Sequence, residues 1–270
     1  MKKIIFFDID GTLVDYFGGI TEIRPRVKEA IREMQANGNY VFIATGRPYA
    51  FLSDSIRNFG FDGFVLANGA HVIIDNKTIY ERPMDKDFVK ALVDRLKSRN
   101  IQHILESKVY SYLDESYKEF SEFYDKVGVS KKYFKGQCDT DKVNIYKIEI
   151  FSDDKEGIKY SKECIKQYPE YDFFNSIADN YLEVYRRNST KAQGILKTIE
   201  FLNIPIENSY AFGDGENDIE MLSTVGMGIA MGNAREKVKE SADKITETVH
   251  NDGVAVGIER YILDFEKYFE

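Results

Sequence analysis

Four short runs in this chain are apolar without alternation, and three of them give way to a polar cluster. KIIFFDI at residues 3–9 carries Asp8 and leads to Asp10. YVFIAT at 40–45 ends on Thr45 and SYAFGD at 209–214 on Asp214, whereas GFVLAN at 63–68 runs into ANGA at 67–70, which reads as a turn. A short continuous apolar run bounded by turn residues predicts a strand buried on both faces, as in a parallel sheet covered by helices. The segments between supply the helices. In RPRVKEAIREMQAN (24–37), Val27, Ala30, Ile31 and Met34 fall at helical spacing, Pro25 suits the first turn and Gly38 the stop. GRPYAFLSDSIRNFG (46–60) predicts a further helix ended by Gly60. Strand–helix alternation of this kind predicts a doubly wound parallel sheet.

The middle of the chain differs. From about Pro83 to Tyr185, Tyr, Lys, Glu and Asp are frequent and long apolar runs are few. FVKALVDRLKSR (88–99) is an amphipathic helix pattern, whereas YKIEIF (146–151) and YLEVYR (181–186) alternate as half-exposed antiparallel strands do. A second domain follows, expected as an open sheet with helices on one face. The first style then returns with KAQGILKTIEFL (191–202), SYAFGD and VGMGIAM (225–231). The expected organisation is a core of residues 1–82 and 186–270 with residues 83–185 inserted as an α/β domain.

Composition narrows the classes. A net charge of −8 offers no basic surface for nucleic acid or anionic lipid. Cys138 and Cys164 are too few for a disulfide framework and lack metal-ligand spacing, so they read as thiols in a reducing, cytoplasmic compartment. The apolar stretch after Lys2 and Lys3 is four residues long before Asp8, too short for a signal core, and no stretch is long enough to span a bilayer.

Chemistry concentrates where the strands end. Ligands of open parallel sheets bind outside the carboxyl ends of the strands, so Asp8 and Asp10, Thr45–Gly46–Arg47, and GDGEND with Asp214, Asn217 and Asp218 can converge there. Aspartates meeting at one point repel unless a cation joins them, and oxygen-only ligands favour a hard ion such as Mg²⁺. The bland alternatives are an Asp-Gly turn after Asp10, a helix cap at Thr45 and a first-turn helix charge at Asp218. An EF-hand is excluded, because the fifth position from Asp8 is Thr12 and the twelfth is Gly19. No Walker-type loop is present, and GMGIAMG misses the dinucleotide pattern by one residue. His71, His103 and His250 neighbour no second ligand and read as surface or internally satisfied groups.

DIDGTL at 8–13, TGR at 45–47, a lysine opening a helix and GDGENDIEML at 213–222 together resemble the haloacid dehalogenase (HAD) superfamily, and within it the Cof-type phosphatases. The resemblance covers the whole chain. It implies a Rossmann-like doubly wound core with a mobile inserted α/β cap. It also implies Mg²⁺-dependent hydrolysis of phosphate monoesters. By position, Asp8 resembles the nucleophile that becomes an aspartyl-phosphate. Asp10 resembles the general acid/base, and its backbone carbonyl a metal ligand. Thr45, with Gly46, resembles the phosphate-binding group, and Lys191 the cation that balances nucleophile and phosphoryl charge. Asp214 resembles the direct metal carboxylate, Asp218 a support of the metal shell, and Asn217 a neighbour of metal or phosphate. One departure is Ala192, where the family often has Gly after the lysine; here Gly194 comes later. An Asp two residues after the nucleophile resembles phosphatases and phosphomutases, whereas transport ATPases carry Thr. The implied substrate is a small phosphorylated metabolite, a sugar phosphate first, with nucleotides and pyridoxal phosphate next. A phosphomutase or phosphotransferase, or a regulatory module that binds without turnover, stands as the alternative.

Overall fold

The computed structural model describes residues 2–126, 129–176 and 178–263. Two compact units divide the chain. The first takes the residues up to Gly46, Ser55–Tyr80 and those from Thr190 onward; the second takes Arg47–Asp54 and Glu81–Ser189.

Along the chain, β1 (Ile4–Phe7), α1 (Pro25–Ala36), β2 (Tyr40–Ala44), α2 (Asp54–Arg57), β3 (Gly63–Leu66), β4 (His71–Ile74) and β5 (Lys77–Glu81) come first. The inserted stretch follows as α3 (Lys86–Ser98), β6 (Gln102–Ser107), β7 (Ser111–Leu113), α4 (Lys118–Lys126), β8 (Phe134–Lys135), β9 (Ile145–Phe151), α5 (Lys155–Lys166), β10 (Tyr171–Asn175) and β11 (Tyr181–Arg186). The return is α6 (Lys191–Leu202), β12 (Ser209–Gly213), α7 (Ile219–Thr224), β13 (Met227–Ala230), α8 (Glu236–Lys239), β14 (Lys244–Ile245) and α9 (Gly253–Tyr261).

The first unit is the doubly wound sheet. Its strand order is β14-β13-β12-β1-β2-β3-β4-β5, parallel from β14 to β3, with β4 antiparallel to β3. The continuous apolar runs are buried on both faces, as their pattern requires. Phe6, Phe42, Ala44, Val65 and Ala211 pack on Ile195 and Ile199 of α6 and on Met221 and Leu222 of α7. On the opposite face Phe7 stacks on Phe212, and Gly257 of α9 lies so close to that ring that a Cβ would come within 2.4 Å. α1 packs against α9 and β2, burying Val27, Ala30, Ile31 and Met34. Burying one such Ile or Phe is worth about 1.5–3 kcal/mol, so these apolar rows fix which way each strand end points.

The predicted helix over 46–60 is instead two short turns, Tyr49–Phe51 and α2, with extended backbone at Pro48 and Leu52. That extended backbone on either side of Tyr49–Phe51 breaks the helix, and Ala50, Phe51 and Leu52 are all buried.

The second unit is a six-stranded sheet ordered β10-β11-β9-β6-β7-β8. β9 is antiparallel to β6 and β11 but buried along nearly its whole length, not half-exposed. The reason is that helices cover both faces rather than one. Phe88, Leu92 and Ile158 from α3 and α5 pack with Ile148 and Ile150, whereas Phe120 and Tyr124 of α4 pack with Ile104, Phe51 and Phe151. The second face therefore buries charge. Lys147 Nζ lies 3.3 Å from Glu106, 3.6 Å from Glu149 and 3.0 Å from Glu183, and the Tyr124 hydroxyl donates to Glu149. Burial holds the Glu106 carboxyl well above its ordinary range.

Candidate active site

The sheet register brings the polar strand ends together. Phe7 of β1 lies opposite Ile43 of β2 on one side and Phe212 of β12 on the other. Asp8, Thr45 and Asp214 are the first residues beyond β1, β2 and β12, and so leave three adjacent strands at the same edge. Asp8 N–H donates to the Phe212 carbonyl, and Thr45 N–H to the Val65 carbonyl, so both are anchored by the ladder.

Lys191 joins the late and early motifs. It is the first residue of α6, whose start is capped by Thr190 Oγ1 accepting the Gln193 N–H. Its ammonium is buried and donates to Asp8 Oδ1 at 2.6 Å and to Asp218 Oδ1 at 2.6 Å. Burial opposes the charged lysine, but the carboxylates of Asp218 and Asp8 overcome it and hold the ammonium above its ordinary range. Asp218 Oδ2 accepts the backbone N–H groups of Asp214 and Gly215, each at 2.9 Å. All of these Asp218 contacts are internal, so it acts as a brace for the 214–218 loop.

Asp8, Asp214 and Asp218 each offer a carboxylate oxygen within 4.8 Å of the others, a group that can hold a metal ion. With all three ionised, Lys191 leaves the cluster two negative charges in excess. The carboxyls register this. Asp8 is held well above the ordinary carboxylate range by burial, against the pull of Lys191 and with added repulsion from Asp218, Asp10 and Asp214. Asp214 is pushed up to about 7, by burial and then by Asp218, against the Thr12 hydrogen bond and Lys191. An all-oxygen donor set with surplus negative charge fits a hard divalent cation.

The Asp10 side chain is exposed and does not belong to the three-carboxylate cluster. Gly11 explains the turn after it. Its φ is +80°, which favours glycine, and a Cβ there would come within 2.1 Å of Asp214 Oδ2. Thr45 is buried. A Cβ at Gly46 would lie 3.0 Å from Asn68 Oδ1 and 3.5 Å from Asn217 Nδ2, so Gly46, Asn68 and Asn217 share one corner. The Ala192 departure is absorbed: Gly194 is the close-packed glycine of α6, where a Cβ would meet Gly69 Cα at 2.9 Å.

Three further residues take part. Thr12 Oγ1 donates to Asp214 Oδ1 at 3.2 Å. Asn233 Nδ2 donates to the Gly11 carbonyl at 2.9 Å and to Asp214 Oδ2 at 3.3 Å, while its Oδ1 accepts the Val249 N–H. Asn68 Oδ1 accepts from Asn217 Nδ2 at 3.1 Å. Thr12 lies inside DIDGTL and Asn68 inside the ANGA turn at 67–70, whereas Asn233 is a lone polar loop residue with no spacing signal. Each histidine has a partner away from the cluster, His71 in Thr78, His103 in the Ile101 carbonyl and His250 in Asp15. Both cysteines are free, and among the described residues no helix is long and apolar enough to cross a membrane.

Fold and site together define the class, a doubly wound α/β protein with a lysine-braced aspartate cluster at the carboxyl edge of its sheet. The chain belongs to the haloacid dehalogenase-like hydrolase family, whose model matches residues 5–258. It is a phosphatase of that family, acting on phosphorylated small molecules. It is 30% identical to YkrA of Bacillus subtilis, a protein provisionally named a phosphatase, over 95% of this chain and 96% of that one. It is also 30% identical to the 5-amino-6-(5-phospho-D-ribitylamino)uracil phosphatase YcsE of Bacillus subtilis, over 97% and 96% of the two chains. Its fold matches the HAD subclass IIB sugar phosphatase BT4131 with a TM-score of 0.79 at 28% identity, covering 96% of this chain and 99% of that one.

Proposed function

We propose that the protein is a Mg²⁺-dependent phosphatase that hydrolyses sugar phosphates and related polyol phosphates through an aspartyl-phosphate on Asp8. The observation that carries the reading is the buried Lys191 bridging Asp8 and Asp218, with Asp214 in the same carboxylate cluster. The two similar proteins with named substrates support the substrate class, since a sugar phosphate and a phosphoribityl compound both present a phosphate on a polyhydroxylated carbon frame.

In this reading Asp8, Asp214 and the Asp10 backbone carbonyl would hold the Mg²⁺, and Asp218 keeps the Asp214 loop in place. When bound, Mg²⁺ offsets the repulsion between a carboxylate and a phosphate dianion. Lys191 favours the ionised, attacking form of Asp8 against its burial and adds the third positive charge. Thr45, Gly46 and Asn217 receive the phosphoryl oxygens, with the Ile9 and Asp10 amides as further donors. Asp10, exposed beside the buried Asp8, protonates the departing alcohol and then takes a proton from the water that attacks the aspartyl-phosphate. Residues 83–185, as the inserted cap, select the leaving group.

The test is a panel of sugar, polyol, nucleotide and pyridoxal phosphates assayed for phosphate release with Mg²⁺ and with chelator. Chelator-sensitive release, fastest for the polyol frames, is expected. Full release in excess chelator contradicts the metal assignment, and a nucleotide preference contradicts the substrate class.

A further inference from the structure

The turn after β3 carries three consecutive residues in the left-handed region: Ala67 at φ 49°, Asn68 at φ 50° and Gly69 at φ 85°. Left-handed backbone is unfavourable for alanine and tolerated by asparagine and glycine. Such a turn persists where its surroundings hold it, and strained turns gather at functional sites. Here the surroundings are the groups assigned above to phosphate. Asn68 N–H donates to the Thr45 carbonyl at 3.1 Å, which ties the turn to the end of β2. Gly69 lies flush on the start of α6; a Cβ there would come within 2.0 Å of the Thr190 carbonyl, the residue before Lys191. Asn68 Oδ1 accepts from Asn217 Nδ2 and lies against Gly46. One turn therefore touches the Thr45–Gly46 corner, the root of Lys191 and the amide of Asn217.

We infer that Asn68 is a positioning residue, whose side chain fixes the Asn217 amide beside Gly46 so that the phosphate-binding corner is preformed. The inference rests on the reading of Asn217 as a phosphate contact. The chemistry suits asparagine in particular. Its side chain is short enough to reach from a left-handed turn, its oxygen accepts without adding charge where a dianion must bind, and it adopts the φ that the turn imposes. An aspartate would accept the same hydrogen bond but repel the phosphate.

Asn68→Gly isolates the side chain, because glycine adopts the left-handed turn without strain. Inorganic phosphate is the probe, as a competitive inhibitor, alongside KM, kcat and the thermal midpoint. Losing one net hydrogen bond predicts a rise in the phosphate inhibition constant and in KM of about 5- to 10-fold. The rise in KM should exceed the fall in kcat, and the thermal midpoint should stay near that of the parent. Asn217→Ala should raise the same constants at least as much, and the double variant should be no worse than Asn217→Ala alone, because the two act as one unit. An Asn217→Ala variant with unchanged phosphate affinity overturns the reading of Asn217. An impaired Asn217→Ala with an unaffected Asn68→Gly, or additive losses in the double variant, overturns the role of Asn68 and leaves Asn217 standing.

Discussion

Replacing Lys191 with Met tests whether the lysine is the brace of the centre. The ammonium is 1% exposed and makes two 2.6 Å contacts, to Asp8 and to Asp218, which are themselves buried. Methionine keeps most of the apolar stem and removes the charge, so two carboxylates face one another in the interior without a cation. Breaking a buried ion pair by deleting one partner costs about 3–5 kcal/mol. Urea unfolding in chelator should show a loss of that order for Lys191→Met. The cause can be isolated with Asp218→Asn. In the parent this change removes one partner of the lysine and destabilises. In the Lys191→Met background it removes the repulsion, keeps an oxygen to accept the Asp214 and Gly215 N–H groups, and should restore about 1 kcal/mol or more. The substitution thus changes sign with its background. If Asp218→Asn destabilises equally in both, or if Lys191→Met costs less than about 1 kcal/mol, the lysine is not holding the carboxylates together.

Other outcomes follow from the same geometry. Gly11→Ala places a methyl group where Asp214 Oδ2 lies and imposes an unfavourable φ, so Mg²⁺ affinity by calorimetry should fall at least 10-fold; unchanged affinity would remove Asp214 from the metal set. Asp10→Asn should slow phosphoryl transfer from a sugar phosphate by roughly 10²–10⁴-fold but from a nitrophenyl phosphate far less, leaving a burst of phenolate in stopped flow. Equal slowing with no burst would deny Asp10 the role of general acid. Burial depresses the His103 imidazole below its ordinary value, so the folded form binds fewer protons than the unfolded one at mildly acidic pH. Its contribution is present above the unfolded value of about 6.5 and lost as pH falls through the folded value. The acid-side fall in thermal midpoint should be shallower in His103→Gln, and an unchanged slope would assign it to other groups.

The core was legible because its signals are local. Runs such as IIFF and YVFIA are apolar on both faces, and each ends on a side chain with visible chemistry. The 46–60 segment misled because its apolar residues satisfy a helical period on paper, while the backbone turns extended at Pro48 and again at Leu52. β9 misled for a different reason. Lys147 and Glu149 read as solvent-facing residues, and only the packing of α4 on that face turns them into an internal ion-pair network. In the site, Asp8, Asp214 and Lys191 were legible from type and place, whereas Asn233 and Asn68 act by bridging loops far apart in sequence. A contact of that kind exists only once the strand order is set.

The central claim is that Asp8 carries the phosphoryl group. The direct measurement is acid quenching within milliseconds of mixing with a ³²P-labelled sugar phosphate, followed by peptide mapping. The account predicts transient label on the peptide containing Asp8, released by hydroxylamine as an acyl phosphate is and absent from Asp8→Asn. Turnover without label at any time point, with Asp8→Asn still active, would contradict it and favour direct attack by water.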